Sequence, residues 1–447
     1  MAALYGHLPK NNIMNARKYI NNMVAAMLVS IAATCLFSAC SKDDDHESTR
    51  GGDEKPVPEF AVADSRTVMV YIAADNNISS NAYSDLDEIV KGFVKYSYGK
   101  NNRVVAFVDR LHSAPCIYVL NDTTTAKSYR DLVPVKTYAS DVNSASADVL
   151  GDFVDYVQAN YPAQSYGLVL GSHGFGWIPP YVQTSPSRRT SRSFATDDTS
   201  GYGLLGMETD EIAEVLAGKG VMDFIFFDAC FMQTIEVDCD LMDVAKHIVA
   251  SPAEVPSPGA DYAAVVPEMF RKDGYAEGIC RAYNNTYLYD EEGGVVLSDV
   301  NTDSLRHAIP YMRSVFGGYG NFDNYAEACE YVAVSNLFTY HKYLTVASFY
   351  PDMPDMKAVM SELMGVDGIG RWNAEMAKVV KCWHGKDWYC TGVSKEVGNV
   401  VVNPLVDEEH CSGISMFVPR AVYDSNGAYF NDYYKQTRFV KLMFGND

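Results

Sequence analysis

The chain has 447 residues, of which 57 are acidic and 36 basic, so its formal net charge is −21. Such an acidic surface argues against nucleic acid and anionic lipid as partners, and it would attract cationic peptides over long distances. Since 48% of the residues are hydrophobic, the chain can bury a large core, either as one big domain with an appendage or as two domains.

The first 40 residues have the pattern of an export signal. Arg17 and Lys18 precede a mostly apolar stretch at 20–37, and small residues stand directly before Cys40. The pattern resembles a bacterial lipoprotein signal, which implies cleavage before Cys40 and lipidation of that cysteine. A transmembrane helix is the competing interpretation, but polar residues interrupt the run, which is short for a bilayer. We therefore expect a protein of the bacterial cell envelope, lipid-anchored at the outer membrane or cell surface, or secreted.

Residues 41–64 are predicted to be an acidic linker rich in Pro and Gly, too polar to build a core. The acidic run at 43–47 resembles the surface-export tag of some Gram-negative lipoproteins. A solvated spacer is the alternative interpretation of the same residues.

Beyond the linker, strand and helix patterns alternate. Short apolar runs predict strands at 67–74, 103–109, 116–120, 166–173, 222–230, 247–250, 293–300 and 411–419. Apolar residues at helical spacing predict helices at 80–96, 146–160, 207–218, 234–245 and 302–316. This order predicts an α/β fold with a mostly parallel central sheet and helices on both faces. We expect the main domain at 65–300 and a C-terminal α+β region at 301–447 packed on it.

Two of the predicted strands end on residues with catalytic potential. One runs into His173 and Gly174, and the other into Asp228, Ala229 and Cys230. Taken alone, Cys230 is typical of a buried core thiol. If the two strands are neighbours in a parallel sheet, however, both ends face one crevice, and an imidazole there can activate a thiol nucleophile. The backbone N–H groups of Gly174 and Cys230 could face a developing oxyanion, so the pair predicts acyl transfer through a thioester.

An apolar strand ending in His-Gly and another ending in Ala-Cys resemble the clostripain family, cysteine peptidases of the caspase-like fold, over residues 65 to about 300. The resemblance implies an α/β/α sandwich with His173 and Cys230 as the catalytic dyad. It also implies that Asp228 lines the pocket for the side chain before the cut bond, which would select Arg or Lys because a buried carboxylate needs a cation. Glu254 and Asp261 are further candidates for that pocket, with surface carboxylates as the alternative.

The predicted loop at 178–206 carries Arg188, Arg189 and Arg192. Members of the clostripain family are often zymogens cut in the corresponding loop, so the resemblance implies self-cleavage after one of these arginines. A solvated basic loop is the competing interpretation.

No cofactor is required by this chemistry. Clostripain itself depends on calcium, and Asp197, Asp198 and Glu208 are candidate ligands here, although the chain has no twelve-residue calcium-binding loop. The cysteines are scattered without metal-ligand spacing, so we predict no metal site from them.

Other motifs give weaker alternatives. The G-x-G-x-x-G match at 201–206 follows a polar loop and not a strand, which argues against a dinucleotide site. An esterase would need a G-x-S-x-G elbow, which the sequence lacks. His341, His384 and His410 are isolated and more typical of structural or exposed positions.

We expect a monomer acting on protein or peptide substrates with Arg or Lys. A surface lipoprotein that uses the fold as a catalytically silent binding module is the non-enzyme alternative.

Overall fold

The computed structural model describes residues 55–178, 193–198, 206–288, 294–341, 352–385, 395–397, 400–402, 405–407, 409–424 and 430–445. These residues belong to one compact unit. The predicted signal with Cys40, the first part of the predicted linker, and Arg188, Arg189 and Arg192 lie outside the described residues.

Uninterrupted apolar runs in the sequence predicted many of the strands that the described chain forms. They are β1 (Arg66–Ala74), β2 (Arg103–Arg110), β3 (Cys116–Leu120), β4 (Lys136–Thr137), β5 (Ser165–Gly171), β6 (Phe224–Asp228), β7 (His247–Ala250), β8 (Val296–Asn301), β9 (Thr339–His341), β10 (Met353–Pro354), β11 (Val380–His384), β12 (Lys395–Val397) and β13 (Val400–Val402). Nine of them form one sheet in the order β11-β8-β7-β6-β5-β1-β2-β3-β4, and β9–β10 and β12–β13 form two small pairs.

The middle of the large sheet is parallel, as predicted. Strands β7, β6, β5, β1 and β2 run in the same direction, whereas β3 and β4 at one edge and β8 and β11 at the other are antiparallel to their neighbours. All nine residues of β1 are buried, as expected for a strand covered by helices on both faces.

Helices cover both faces of this sheet. They are α1 (Asn81–Val94), α2 (Ala147–Asn160), α3 (Thr209–Leu216), α4 (Ile235–Leu241), α5 (Tyr262–Met269), α6 (Tyr275–Thr286), α7 (Thr302–Phe316), α8 (Phe322–Cys329), α9 (Met356–Val379), α10 (Phe430–Tyr434) and α11 (Arg438–Phe444). In the described part of the chain, none of these helices combines the length and hydrophobicity needed to cross a membrane.

Two hydrophobic cores separate the sheet from its helices. Alternate residues of each central strand point to opposite cores: Tyr71 belongs to the core that includes residues of α2, α3 and α4, and Val70 to the core that includes residues of α1, α5 and α6. In the first core, the rings of Tyr71 and Phe107 stack with centroids 4.5 Å apart. The result is a three-layered α/β/α sandwich, which confirms the predicted fold class.

The C-terminal part of the chain adds to both the sheet and the first core. Strand β11 pairs with β8 at the sheet edge, and buried residues of α7, α9 and α11 belong to the same core as α2 and α3. The predicted strand at 411–419 is wrong, because this segment forms only isolated bridges from Ser415 to Thr234 and Asp355. Gly413 in this segment has a φ of +82°, which interrupts extended backbone.

Candidate active site

Strands β5 and β6 are adjacent and parallel. This is the arrangement that the predicted shared crevice requires. Their register pairs Gly171 with Asp228, and two residues further along each chain lie His173 and Cys230. Both side chains are half-buried, and both line one cavity of about 300 Å³. The carboxyl ends of parallel strands meet at one edge, so the strand register alone brings the imidazole and the thiol together.

Asn77 contacts the imidazole of His173. Its Oδ1 lies 2.5 Å from Nε2 of the ring. Asn77 follows β1, the other neighbour of β5, and the segment around it is anchored because Asn76 Nδ2 donates to the carbonyl oxygens of Ala73 (3.2 Å) and Thr196 (2.9 Å). The Asn77 oxygen accepts a hydrogen bond from the ring only in the tautomer that carries the proton on Nε2, and that tautomer leaves Nδ1 as the basic nitrogen.

The backbone at Gly174 passes unusually close to the chain at Cys230. A Cβ added at Gly174 would collide with the carbonyl oxygen of Cys230 and the side chain of Met232, so only glycine fits. Gly174 forms an antiparallel bridge with Phe194. In that bridge Phe175 N donates to Ser193 O and Ala195 N donates to His173 O, so the amide of Gly174 itself points away from the partner segment.

The chain turns sharply directly after Cys230. Phe231 has a φ of +60°, which is rare for a bulky residue and typical of strained turns at functional sites. Phe231 N donates a hydrogen bond to Ala253 O at 3.0 Å. The sulfur of Cys230 accepts a hydrogen bond from Val255 N at 3.4 Å. An amide donor at this position stabilises negative charge on the sulfur.

Asp228 lies at the base of the cavity and is held by three donors. Its Oδ2 accepts hydrogen bonds from Ala260 N and Tyr262 Oη, both at 3.0 Å, and its Oδ1 accepts one from Tyr283 Oη at 2.9 Å. Burial raises the pKa of Asp228, and these three hydrogen bonds oppose the rise. The carboxylate is therefore fixed in place while retaining acceptor capacity toward the cavity.

Asp85 on α1 lines the same cavity and was not identified from the sequence. Burial and then the nearby Asp228 raise the pKa of Asp85 to about 9. No lysine or arginine occurs among the described residues that line this cavity. Helical spacing could have indicated this position in the sequence. Asp85 shares the apolar face of α1 with the buried residues Ala82, Leu86 and Ile89. We refer to Asp85 and Asp228 as the cavity carboxylates.

The other acidic candidates lie elsewhere. Asp261 caps α5 by accepting from Ala263 N, and neither it nor Glu254 lines the cavity. The three proposed calcium ligands do not converge: Glu208 caps α3 and accepts from Ser193 Oγ, Asp198 is exposed, and Asp197 lies with Asp75 and Asp109.

A larger cavity, of about 720 Å³, lies between α3 and the C-terminal helix α11. Its lining includes Trp177, Asp240 and Arg438 but none of the residues at the ends of β5 and β6. The smaller cavity is the candidate active site because the potential nucleophile and base face it.

The structure resembles solved proteases over most of its length. An inactive zymogen C11 protease from Parabacteroides distasonis is 27% identical with a TM-score of 0.68, and the match covers 87% of this chain and 99% of that one. A secreted C11 cysteine protease from Bacteroides thetaiotaomicron, solved with an irreversible peptide inhibitor, is 26% identical with a TM-score of 0.65, and the match covers 85% of this chain and 97% of that one.

The sequence comparisons point the same way. Residues 70–344 match the profile of the clostripain family. Clostripain from Hathewaya histolytica is 28% identical over 222 residues, which are 44% of this chain and 40% of that protein. The chain thus matches less than half the length of this relative.

Proposed function

The chain belongs to the clostripain family, and from this premise we propose that it is a cysteine endopeptidase that cuts peptide bonds after Arg or Lys. The observation that carries the proposal is the register of β5 and β6, by which His173, Cys230 and Asp228 face one cavity. Protein or peptide substrates with basic side chains also suit the net charge of −21.

In the proposed reaction, Nδ1 of His173 takes the proton of the Cys230 thiol, and the sulfur attacks the carbonyl carbon of the peptide bond. The N–H groups of Gly174 and Cys230 stabilise the resulting oxyanion. The C–N bond then breaks, the amine leaves with the proton from His173, and a thioester remains. Water, deprotonated by His173, hydrolyses the thioester and the proton returns to the thiol. Each transfer uses side chains of this chain and water, so the scheme requires no cofactor.

The cavity carboxylates supply the proposed specificity. Asp85 and Asp228 place two carboxyl groups in a cavity that no described lysine or arginine lines. A substrate Arg or Lys would provide the missing cation, whereas a neutral or acidic side chain would leave the carboxylates unpaired in a partly desolvated site.

Self-cleavage between residues 178 and 206 forms a further part of the proposal, with Arg188, Arg189 or Arg192 as the cut site. Support comes from the residues that flank this loop: Ser193 and Phe194 pair with Phe175 and Gly174 beside His173. A cut in the loop would therefore free one end of a segment that pairs beside the catalytic histidine. One solved relative is described as an inactive zymogen.

For the cell envelope, we propose that cleavage before Cys40 removes residues 1–39 and that Cys40 is then lipidated, with the folded part acting as a monomer. Labelled palmitate should be incorporated into the chain and lost in Cys40→Ser, while Cys35→Ser, a change within the same leader, should incorporate it normally. Unchanged incorporation in Cys40→Ser would rule out this anchor.

The central test uses fluorogenic peptides that differ only at the residue before the cut. We expect cleavage after Arg and Lys and not after Gln or Glu. Cys230→Ala and His173→Ala should lower kcat/KM by at least about 1000-fold. Cys116→Ala removes a half-exposed thiol on β3 and serves as the matched control.

Two results would overturn the proposal. Full hydrolysis by Cys230→Ala would reject Cys230 as the nucleophile, and failure of a lysine-directed thiol-reactive probe to label Cys230 after loop cleavage would favour the silent binding module.

Self-cleavage in the loop has its own test. Cys230→Ala should remain one chain, and replacing all three arginines by alanine should prevent processing. A cut that appears equally in Cys230→Ala would contradict self-cleavage.

A further inference from the structure

Two cysteine side chains outside the candidate active site lie against each other at one edge of the sheet. Cys382 lies in β11, and Cys411 begins the segment that bridges through Ser415 to Thr234 and Asp355. The two sulfur atoms are 3.9 Å apart. Both residues are half-buried. The contact joins the sheet edge to a segment that comes from much later in the fold.

The backbone around the two thiols is held in place by other contacts. Cys382 pairs with Ser298 of β8, and Ser298 Oγ donates a hydrogen bond to Gly413 O. Gly413 N donates to Tyr340 Oη at 2.9 Å. The chain at Gly413 passes so near β11 that an added Cβ would lie 2.7 Å from the Cβ of Cys382. The segment that carries Cys411 is therefore fixed against β11, as a disulfide requires, since its two Cβ atoms lie only about 3.8 Å apart.

The thiols can also be reached by an oxidant. Both line a cavity of about 340 Å³ beside α9, and rotation about each Cα–Cβ bond can bring the sulfurs to the separation of about 2.05 Å that a disulfide has. Disulfides form and persist in exported proteins, so this step rests on the proposed cell-envelope location, whereas the contact between the thiols does not. We propose that Cys382 and Cys411 form a disulfide bond, with a small disulfide of the glutathione type as the oxidant.

The oxidation is a two-step thiol–disulfide exchange. The hydrogen bond with Cys411, and then burial, raise the pKa of Cys382, so Cys411 attacks the oxidant first. Its sulfur bonds to one sulfur of the glutathione disulfide, and one glutathione leaves as a thiol with the proton of Cys411. Cys382 then attacks the Cys411 sulfur of this mixed disulfide, and the second glutathione leaves with the proton of Cys382. The two cysteines lose two electrons, and the oxidant gains them.

The bond would tether a segment that supports the chain after Cys230. Ser415 N donates to Gln233 O at 3.1 Å, and Ile235 N donates to Ser415 O at 3.0 Å. Gln233 is three residues after Cys230. Linking Cys411 to the sheet edge restricts the motion of Ser415, and so of the turn behind the Cys230 sulfur. The disulfide is independent of peptidase activity, whereas any effect of this tether on catalysis rests on the proposed function.

The bond is tested in the full chain carrying Cys230→Ala, so that neither self-cleavage nor oxidation of the nucleophile plays a part. The chain is incubated with glutathione disulfide, the remaining thiols are blocked with N-ethylmaleimide in denaturant, and the protein is digested with trypsin. Trypsin separates the cysteines of this region onto the peptides 382–386, 387–395 and 396–420. We expect the first and third of these peptides as one linked species that separates on reduction.

Cys390 is the competing partner, since it lies between the two thiols in the sequence and outside the described residues. Cys390→Ser should leave the link unchanged, whereas Cys382→Ser and Cys411→Ser should each abolish it. Cys116→Ser, which changes a half-buried thiol on β3, is the matched control and should keep the link. Absence of the link after oxidation, or a link from Cys390 in its place, would refute the proposal.

The tether has its own readout in the same Cys230→Ala chain. Oxidation should raise Tm by at least about 2 °C, because the bond restricts the unfolded chain. It should also slow hydrogen exchange of the amides at 231–237 by about 10-fold. Cys382→Ser and Cys411→Ser should match the reduced parent in both measurements, which shows that they fold.

Equal exchange at 231–237 in the oxidised and reduced chains would reject the tether. Neither measurement uses the nucleophile, so a failure of the peptidase proposal would leave the results on the bond and the tether unchanged.

Discussion

The carboxyl edge of the sheet holds two groups of acidic side chains that differ in their access to solvent. The cavity carboxylates, Asp85 and Asp228, border an open cavity beside Cys230. Three further aspartates, Asp75, Asp109 and Asp197, are buried together. Both groups place several carboxyl groups where burial disfavours the charged form. The two groups differ in accessibility, because a substrate side chain can enter the cavity but cannot reach the buried aspartates.

The two groups also differ in how their carboxylates are supported. Asp228 is held by two tyrosine hydroxyls and a backbone amide, while Asp109 keeps an oxygen without a hydrogen-bond partner in the described chain. Fixed acceptors suit a site that must discriminate between side chains, since the geometry is set before the ligand arrives. Asn77 lines the cavity and follows Asp75 by two residues, so one short segment contributes to both groups.

Among the substitutions that test this comparison, Asp228→Asn should have the largest effect on activity. Removing the fixed charge at the base of the cavity should lower kcat/KM for Arg and Lys substrates by about 100- to 1000-fold, the range expected for a desolvated ion pair that loses one partner. Hydrolysis after citrulline should change little. Steady-state kinetics with matched fluorogenic peptides measure both. Asp261→Asn, at the cap of α5 outside the cavity, is the control. Equal losses for arginine and citrulline substrates would contradict a role in specificity.

Asp85→Asn should have an intermediate effect, a roughly 10- to 100-fold loss with basic substrates, because Asp85 is only half-buried. The pH dependence is the sharper readout. Burial raises the pKa of Asp85 to about 9, so the group is protonated at neutral pH, and a basic substrate must displace that proton.

With basic substrates, the kcat/KM of the wild-type chain divided by that of Asp85→Asn should therefore grow as pH rises from 7 toward 9. The ratio of the two kcat/KM values across this range cancels the ionisation of Cys230 and His173, which both proteins share. A ratio that stays constant with pH would show that Asp85 does not pair with the substrate.

Asn77→Ala should have the smallest effect, an about 10-fold lower kcat with little change in KM, because one hydrogen bond that orients His173 is lost. Asn77→Asp keeps an acceptor oxygen and should recover part of the rate. Asn160→Ala, at the exposed end of α2, is the matched control. A rise in KM at constant kcat would assign Asn77 to substrate binding and not to the positioning of the base.

Several features of the fold and site were predictable because they depend on local pattern. Apolar runs located the central strands, and the polar residues at their ends marked His173 and Cys230. The parallel middle of the sheet followed from strand-helix alternation. The same reasoning applied to the end of β1 would have drawn attention to Asn77, since Asp75, Asn76 and Asn77 stop that strand.

Other features could not be read from local pattern. Strand β11 reaches the sheet edge from a distant part of the chain, and the segment around Ser415 forms isolated bridges but no strand. The sequence left Asp261 open as a pocket or surface carboxylate, and the structure places it at the cap of α5.

The sequence by itself determined the α/β class, the family resemblance and the two strand ends that carry His173 and Cys230, because hydrophobic periodicity and residue type act over neighbouring positions. Only the tertiary structure decided which carboxylates share a space. Asp85 reaches Asp228 from a separate helix, and Asp75, Asp109 and Asp197 converge from three segments. Burial and charge proximity, which set the chemistry of these groups, arise from packing between distant parts of the chain.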